Sequence, residues 1–315
     1  MGIEFGTVGA AARQLAADAA QGAARSGLSA ATEAALVDEL AAVAARYEPR
    51  FGSMSASDVA RGRALVQDAL DGLQVVPVVN RWHRPGVPAI EHADAFMGTV
   101  HTLPPRNVAD RVMRVVRRTW ERQQHFHGPG ELAGRTVFAS AQFVPEEAIA
   151  RSGGDVVAAL GEQAAARGSW GVARFGDDAY VLDPSVLERA TVTGRDSGFG
   201  PNAARPATLD RLDDVVVERL AASHGFRRDP FLGANDYRIG VDGVGSAAAR
   251  RESLRALLHD EPTEAAVRRL RGYLTGPAAT DIDHMVELQV RGVRGRDVLA
   301  IEPEGAAAHV NPVGI

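Results

Sequence analysis

The segment 281–291 reads Asp-Ile-Asp-His-Met-Val-Glu-Leu-Gln-Val-Arg and alternates polar and apolar side chains over most of its length. Side chains two residues apart in a β-strand point to the same face, so this pattern predicts a strand with one polar and one apolar face. The polar face would carry Asp281, Asp283, Glu287 and Gln289, and the apolar face Ile282, Val286, Leu288 and Val290. A Glu and a Gln side by side can hold a sugar hydroxyl, whereas many charged strand faces simply contact water. This segment alone leaves both interpretations open.

Composition narrows the classes of protein that the chain can be. Its 315 residues, 45% hydrophobic and 24% charged, are enough for one large or two ordinary domains with a sizeable core. A net charge of -5 argues against a dedicated nucleic-acid binder, which is usually basic. The sequence contains neither cysteine nor lysine. Disulfides, thiolate metal sites, thiol nucleophiles and Schiff-base chemistry are therefore excluded.

No basic N-terminal region precedes an apolar core, and no apolar run reaches the ~18 residues that a membrane span needs. We therefore expect a soluble protein with no membrane partner. It would be cytoplasmic, or exported by a route that needs no signal peptide.

The sequence pattern changes from helical to β-rich near residue 73, which predicts a helical module at 1–72 and an α+β domain at 73–315. Three helices are predicted in the module, the second from Ser29 to Tyr47 with Ser29 as N-cap, the third opening at Ser57. Their Ala-rich faces are typical of helix packing, and the alternative is a surface for an immunity or delivery partner.

The predicted α+β domain opens with a β-rich run at 75–85, where Arg81 and His83 would share a strand face. A helix over 107–125 follows, and its arginines are interpreted as a solvated face rather than a binding surface. Further predictions are strands at 136–143, 171–175, 179–182 and 189–193 and one helix over 145–167.

One short motif is similar to the opening of HNH-type nuclease toxins, namely Asp283-His284 with Glu287-Leu288-Gln289 close behind. Such a site also needs later Asn and His ligands to a divalent metal. The only later candidates are His309 and Asn311, in a tail without helical periodicity. A metal-dependent nuclease toxin is therefore one alternative function.

A second set of motifs covers more of the chain and occurs in a consistent order. These are WGVARFG at 170–176, AYVLDPSVLERATVTGRDS at 179–197, and MVELQVRG at 285–292 followed by Asp297-Val298. Together they resemble bacterial and phage ADP-ribosyltransferase-like toxin domains and a related family of unknown function. The resemblance implies a split, two-sheet mixed α/β fold with NAD bound between the sheets.

The resemblance also implies a toxin or effector that acts as a glycosyltransferase on NAD, either transferring ADP-ribose to an acceptor or hydrolysing NAD, and it implies roles for particular residues. Glu287 would be the catalytic acid, and Gln289 would orient the ribose or the acceptor. The remaining NAD-binding residues implied are Arg81, His83, Thr191, Thr193, Asp196 and Ser197. No metal is implied, and the macromolecular acceptor of ADP-ribose is unknown.

Two features differ from the pattern of that family. The acid comes first in Glu287-Leu288-Gln289, whereas one class of these transferases places it second in such a pair. The early strand has one residue more before Pro85 than related sequences. A non-catalytic interaction or virion-associated protein is therefore a third interpretation.

Overall fold

The computed structural model describes residues 28–82, 88–99, 101–105, 107–176, 178–194, 205–227, 239–241, 243–281 and 285–303. The helices in these ranges are α1 Ala30–Arg46, α2 Ala56–Leu70, α3 Val108–Gln123, α4 Glu146–Arg151, α5 Val156–Arg167, α6 Leu212–Ser223, α7 Ala247–His259 and α8 Thr263–Thr275. The strands are β1 Leu73–Arg81, β2 Thr136–Pro145, β3 Asp178–Leu182, β4 Ala190–Thr193, β5 Ile239–Gly240, β6 Gly243–Val244, β7 Glu287–Arg291 and β8 Val298–Pro303.

Six of these strands form one antiparallel sheet in the order β4-β7-β2-β1-β3-β8, and β5 pairs with β6 in a separate hairpin. The expected α+β class is therefore confirmed. The described strands do not form the two facing sheets that the family resemblance implied, because every strand longer than two residues belongs to the same sheet.

Helices pack on both faces of this sheet. One face carries Val79, Ala141, Phe143 and Leu288 and packs against α2, α6, α7 and α8 in the main core. The other face carries Val76, Val78 and Val181, which pack against α4 and α5. Because both faces are covered, the central strand β2 is buried at nearly every position instead of alternating between core and water.

Local sequence signals account for the helix ends. The hydroxyl of Ser29 accepts from the Thr32 amide at the start of α1, as predicted. Ser55 and Asp58 form a capping box on α2, so this helix begins at Ala56, one residue before the predicted opening at Ser57. The single helix expected over 145–167 is in fact two helices, because Gly153 and Gly154 adopt positive φ between α4 and α5.

Helix α2 contributes Leu65, Val66 and Ala69 to the same core as the sheet. The helices described within 1–72 therefore pack directly on the α+β domain. The first predicted helix of the module lies outside the described residues, and the boundary at residue 72 stays a prediction.

Helix α6 is the most enclosed of the described helices, with every residue from Asp214 to Ser223 buried. Its two buried carboxylates have partners outside the helix. Asp214 accepts from Arg63 and Arg211, and Glu218 accepts from the Arg50 amide and from Tyr47 Oη at 3.4 Å. Arg219 lies over the ring of Tyr273 at 4.6 Å.

Among the residues that the structure describes, no helix is both long enough and apolar enough to cross a bilayer.

Candidate active site

A cleft of about 410 Å³ opens on the sheet face that carries Glu287. The floor of the cleft is formed by paired residues of adjacent strands. Val78 of β1 pairs with Ser140 of β2, Ser140 pairs with Glu287 of β7, and Glu287 pairs with Thr193 of β4. The residues lining the cleft are Val78, Val79, Asn80, Arg81, Thr99, Arg117, Thr136, Val137, Phe138, Ala139, Ser140, Phe175, Met285 and Glu287.

Glu287 is 2% exposed, so the alternative that it is a solvated strand acid is wrong. Of the predicted polar face, Glu287 and Gln289 lie in the strand, and Arg291 continues the same face, but all three side chains are buried. The strand is also shorter than predicted, since β7 begins at Glu287 rather than at Asp281.

The carboxylate of Glu287 ends a chain of hydrogen bonds that we name the buried polar row. Arg291 Nη1 donates to Thr191 Oγ1 at 2.7 Å, and Thr191 Oγ1 donates to Gln289 Oε1 at 3.0 Å. Gln289 Nε2 then donates to Glu287 Oε1 at 2.8 Å and to Thr193 Oγ1 at 3.0 Å. Every donor in this chain of hydrogen bonds is directed toward Glu287.

Helix α1 holds the far end of the buried polar row. Arg291 is fully buried and donates from Nε to Glu39 Oε1 at 3.1 Å and from Nη2 to the His125 carbonyl at 2.6 Å. Burial lowers the pKa of Arg291, and the nearby Glu39 opposes that change. Burial likewise raises the pKa of Glu39, and Arg291 counteracts it.

Arg81 is the last residue of β1 and lines the cleft. Its Nη2 donates to the Gly98 carbonyl. A second segment, 171–176, lies against the end of this strand. A Cβ at Gly176 would lie 1.8 Å from the Arg81 carbonyl carbon, and one at Gly171 would lie 2.3 Å from Asn80 Oδ1. Only glycine fits at position 176, where the clash is with backbone, whereas a side chain at position 171 would require neighbouring side chains to shift. Phe175, in the same segment, lines the cleft.

Arg117 and Phe138 line a further side of the cleft, and Glu121 and His101 support Arg117 from behind. We name these four residues the α3 wall. Arg117 of α3 lies over the ring of Phe138 at 4.5 Å and donates from Nε to Glu121 Oε1 at 2.9 Å. The other oxygen of Glu121 lies 2.5 Å from His101 Nε2. Both Glu121 and His101 are almost completely buried.

The structure brings some of the predicted site residues together. Glu287 and Arg81 line one cleft, whereas Gln289, Thr191 and Thr193 lie behind Glu287 in the buried polar row. His83, Asp196 and Ser197 lie outside the described residues. So do Asp283, His284, His309 and Asn311 of the nuclease alternative, and the described residues hold no cluster of three or more His, Asp or Glu side chains suited to a metal ion.

Sequence reasoning missed several residues at the cleft. Ser140 stands in an apolar strand, and its place opposite Glu287 depends on long-range pairing that periodicity does not reveal. Phe175 was predicted to lie in a strand, but residues Ala173–Phe175 form a short 3-10 helix. The arginines of α3 were interpreted as a solvated face, yet Arg117 lines the cleft.

No protein-family model matches the chain, and comparisons with curated proteins and with solved structures give no match.

Proposed function

We propose that the cleft binds NAD and that the protein breaks the bond between nicotinamide and ribose, passing ADP-ribose to water or to an acceptor. One observation carries this proposal. Glu287 is a buried carboxylate at the floor of the cleft, held by Gln289 and sharing that cleft with Arg81. A carboxylate and an arginine in one cleft match the two charges of such a ligand, a cationic ribose in the transition state and an anionic diphosphate.

Glu287 would act through the ribose. As the glycosidic bond breaks, its electron pair leaves with nicotinamide and positive charge develops on the ribose ring. A carboxylate that accepts a hydrogen bond from a ribose hydroxyl stabilises this charge more in the transition state than in the ground state. Water or an acceptor nucleophile then bonds to the ribose carbon and loses a proton.

The buried polar row would keep the acid in place. Gln289 donates to Glu287 and is itself fixed by Thr191 and Thr193, so the carboxylate is preorganised before a ligand arrives. We assign Gln289 a positioning role, because it does not line the cleft.

The ADP-ribosyltransferase-like fold is part of the same proposal. The three strands that carry the described site residues, β4, β7 and β1, lie within four adjacent strands of the six-stranded sheet. Strand β4 is adjacent to β7, and only β2 separates β7 from β1. The closeness of these strands supports the arrangement of site strands that the resemblance implied, although the described strands form a single large sheet.

Release of nicotinamide from NAD tests the proposal. We expect the parent protein to release nicotinamide and Glu287→Gln to lose at least roughly 100-fold in kcat, as is typical when a charge-stabilising group is removed. Glu252→Gln, an exposed carboxylate on α7, is the matched control and should keep full activity. Equal turnover by Glu287→Gln and the parent would exclude this acid, and no turnover by the parent with any acceptor would exclude the enzyme.

A further inference from the structure

We infer that Arg117 forms an anion subsite in the cleft, which takes a phosphate or diphosphate group. The residue lines the cleft, and its side chain is about one-third exposed at 33%. Sequence patterns place it on a basic helix, but its neighbours distinguish it from the other arginines there.

Two contacts fix the guanidinium while leaving its terminal groups available. The ring of Phe138 supports the guanidinium plane, and Glu121 accepts from Nε. Within the described residues, Nη1 and Nη2 of Arg117 have no hydrogen-bonding partner. Two parallel N–H donors on a planar group match the oxygens of a phosphate, so the geometry suits bidentate binding.

The Glu121 carboxylate is itself fixed. His101 Nε2 lies 2.5 Å from one oxygen, Arg117 bonds the other, and all but 4% of the side-chain surface of Glu121 is buried. An arginine held in this way loses little conformational freedom on binding an anion. Glu121 therefore acts as a positioning residue for Arg117.

Arg117 differs in this respect from Arg81, the other cation at the cleft. Arg81 Nη2 is already engaged by the Gly98 carbonyl. The α3 wall is thus the side of the cleft on which a new anion meets preorganised donors. If the anion is the diphosphate of NAD, the inference rests on the proposed function. Binding of an anion at Arg117 can nevertheless be tested without NAD.

Titration calorimetry with inorganic pyrophosphate tests the subsite on the full chain. We expect Arg117→Gln to weaken binding roughly 10- to 100-fold, the range for losing hydrogen bonds to a charged group. Arg118→Gln is the matched control, since Arg118 is the exposed neighbour on the same helix, and its affinity should stay within about twofold of the parent. Glu121→Gln should give an intermediate loss, because Arg117 keeps its charge but loses an ionic partner.

Three results would overturn the inference: no pyrophosphate binding by the parent, unchanged binding by Arg117→Gln, or equal losses in the Arg117 and Arg118 variants. If Arg117→Gln does not fold, Arg117→Lys replaces it, and affinity equal to the parent would then refute a bidentate site. The proposed function fails separately. Unchanged nicotinamide release by Glu287→Gln would remove the NAD mechanism and leave the anion subsite standing.

Discussion

Replacing Arg291 tests how much of the stability of the fold depends on the buried polar row. Arg291→Met keeps most of the side-chain volume and removes the guanidinium. The change leaves three acceptors without this donor, namely Thr191 Oγ1, the Gln289 carbonyl and the His125 carbonyl. It also leaves the Glu39 carboxylate, whose side chain is 14% exposed, without its cation.

The expected cost follows from these contacts. Breaking a buried ion pair by removing one partner costs about 3–5 kcal/mol, and the partial exposure of Glu39 places this case near 3 kcal/mol. Glu39→Gln keeps an oxygen acceptor and loses only the charge, so its cost should be about 1 kcal/mol. The double variant Arg291→Met with Glu39→Gln removes both charges, and it should be more stable than Arg291→Met alone.

Urea unfolding measures these differences, provided that the slopes of the variants agree. Arg251→Met, at an exposed arginine of α7, is the control and should change stability by less than about 0.5 kcal/mol. A cost below about 1 kcal/mol for Arg291→Met would refute the reasoning. Strictly additive effects at the two sites would refute the coupling between Glu39 and Arg291.

Two further predictions concern stability. Burial raises the pKa of Glu218 from 4.5 to about 7, so its favourable contribution is complete below pH 4.5 and is lost as the pH rises toward 7. In Glu218→Gln, the urea unfolding midpoint should fall less between pH 4.5 and 7 than in the parent. The same fall in both proteins would show that Glu218 is not the titrating group. Gly176→Ala should destabilise the fold by more than about 1 kcal/mol because its Cβ would meet the Arg81 backbone. Gly272→Ala, where no atom lies within 4 Å, should instead stabilise α8 by about 0.5–1 kcal/mol, and equal effects at both glycines would contradict the packing argument.

Local signals in the sequence predicted most elements, because caps and hydrophobic periods act over a few residues. The helix from Ser29 and the strand at 179–182 are examples, and both lie within a residue or two of the predicted bounds. The split between α4 and α5 was missed because positive φ at two consecutive glycines is not a periodic signal.

The site was harder to predict than the elements. Period-two alternation identified Glu287 and Gln289 as neighbours on one strand face, but burial of that face depends on α1 supplying Glu39 to Arg291. Arg117 and Ser140 reach the cleft through helix docking and strand register, which join residues far apart in the chain. The periodicity of the sequence predicts neither helix docking nor strand register.

The charges on the enclosed helix α6 define its placement as well as its stability. A purely aliphatic helix could slide by a turn, or rotate, and exchange one set of apolar contacts for another. In α6, such a shift would separate Asp214 from Arg63 of α2 and would remove Glu218 from the Arg50 amide. Each separated carboxylate would be left in a dry interior, so misaligned packings are penalised far more heavily than the native one. The charged residues of α6 therefore select a single alignment of the helix within the core.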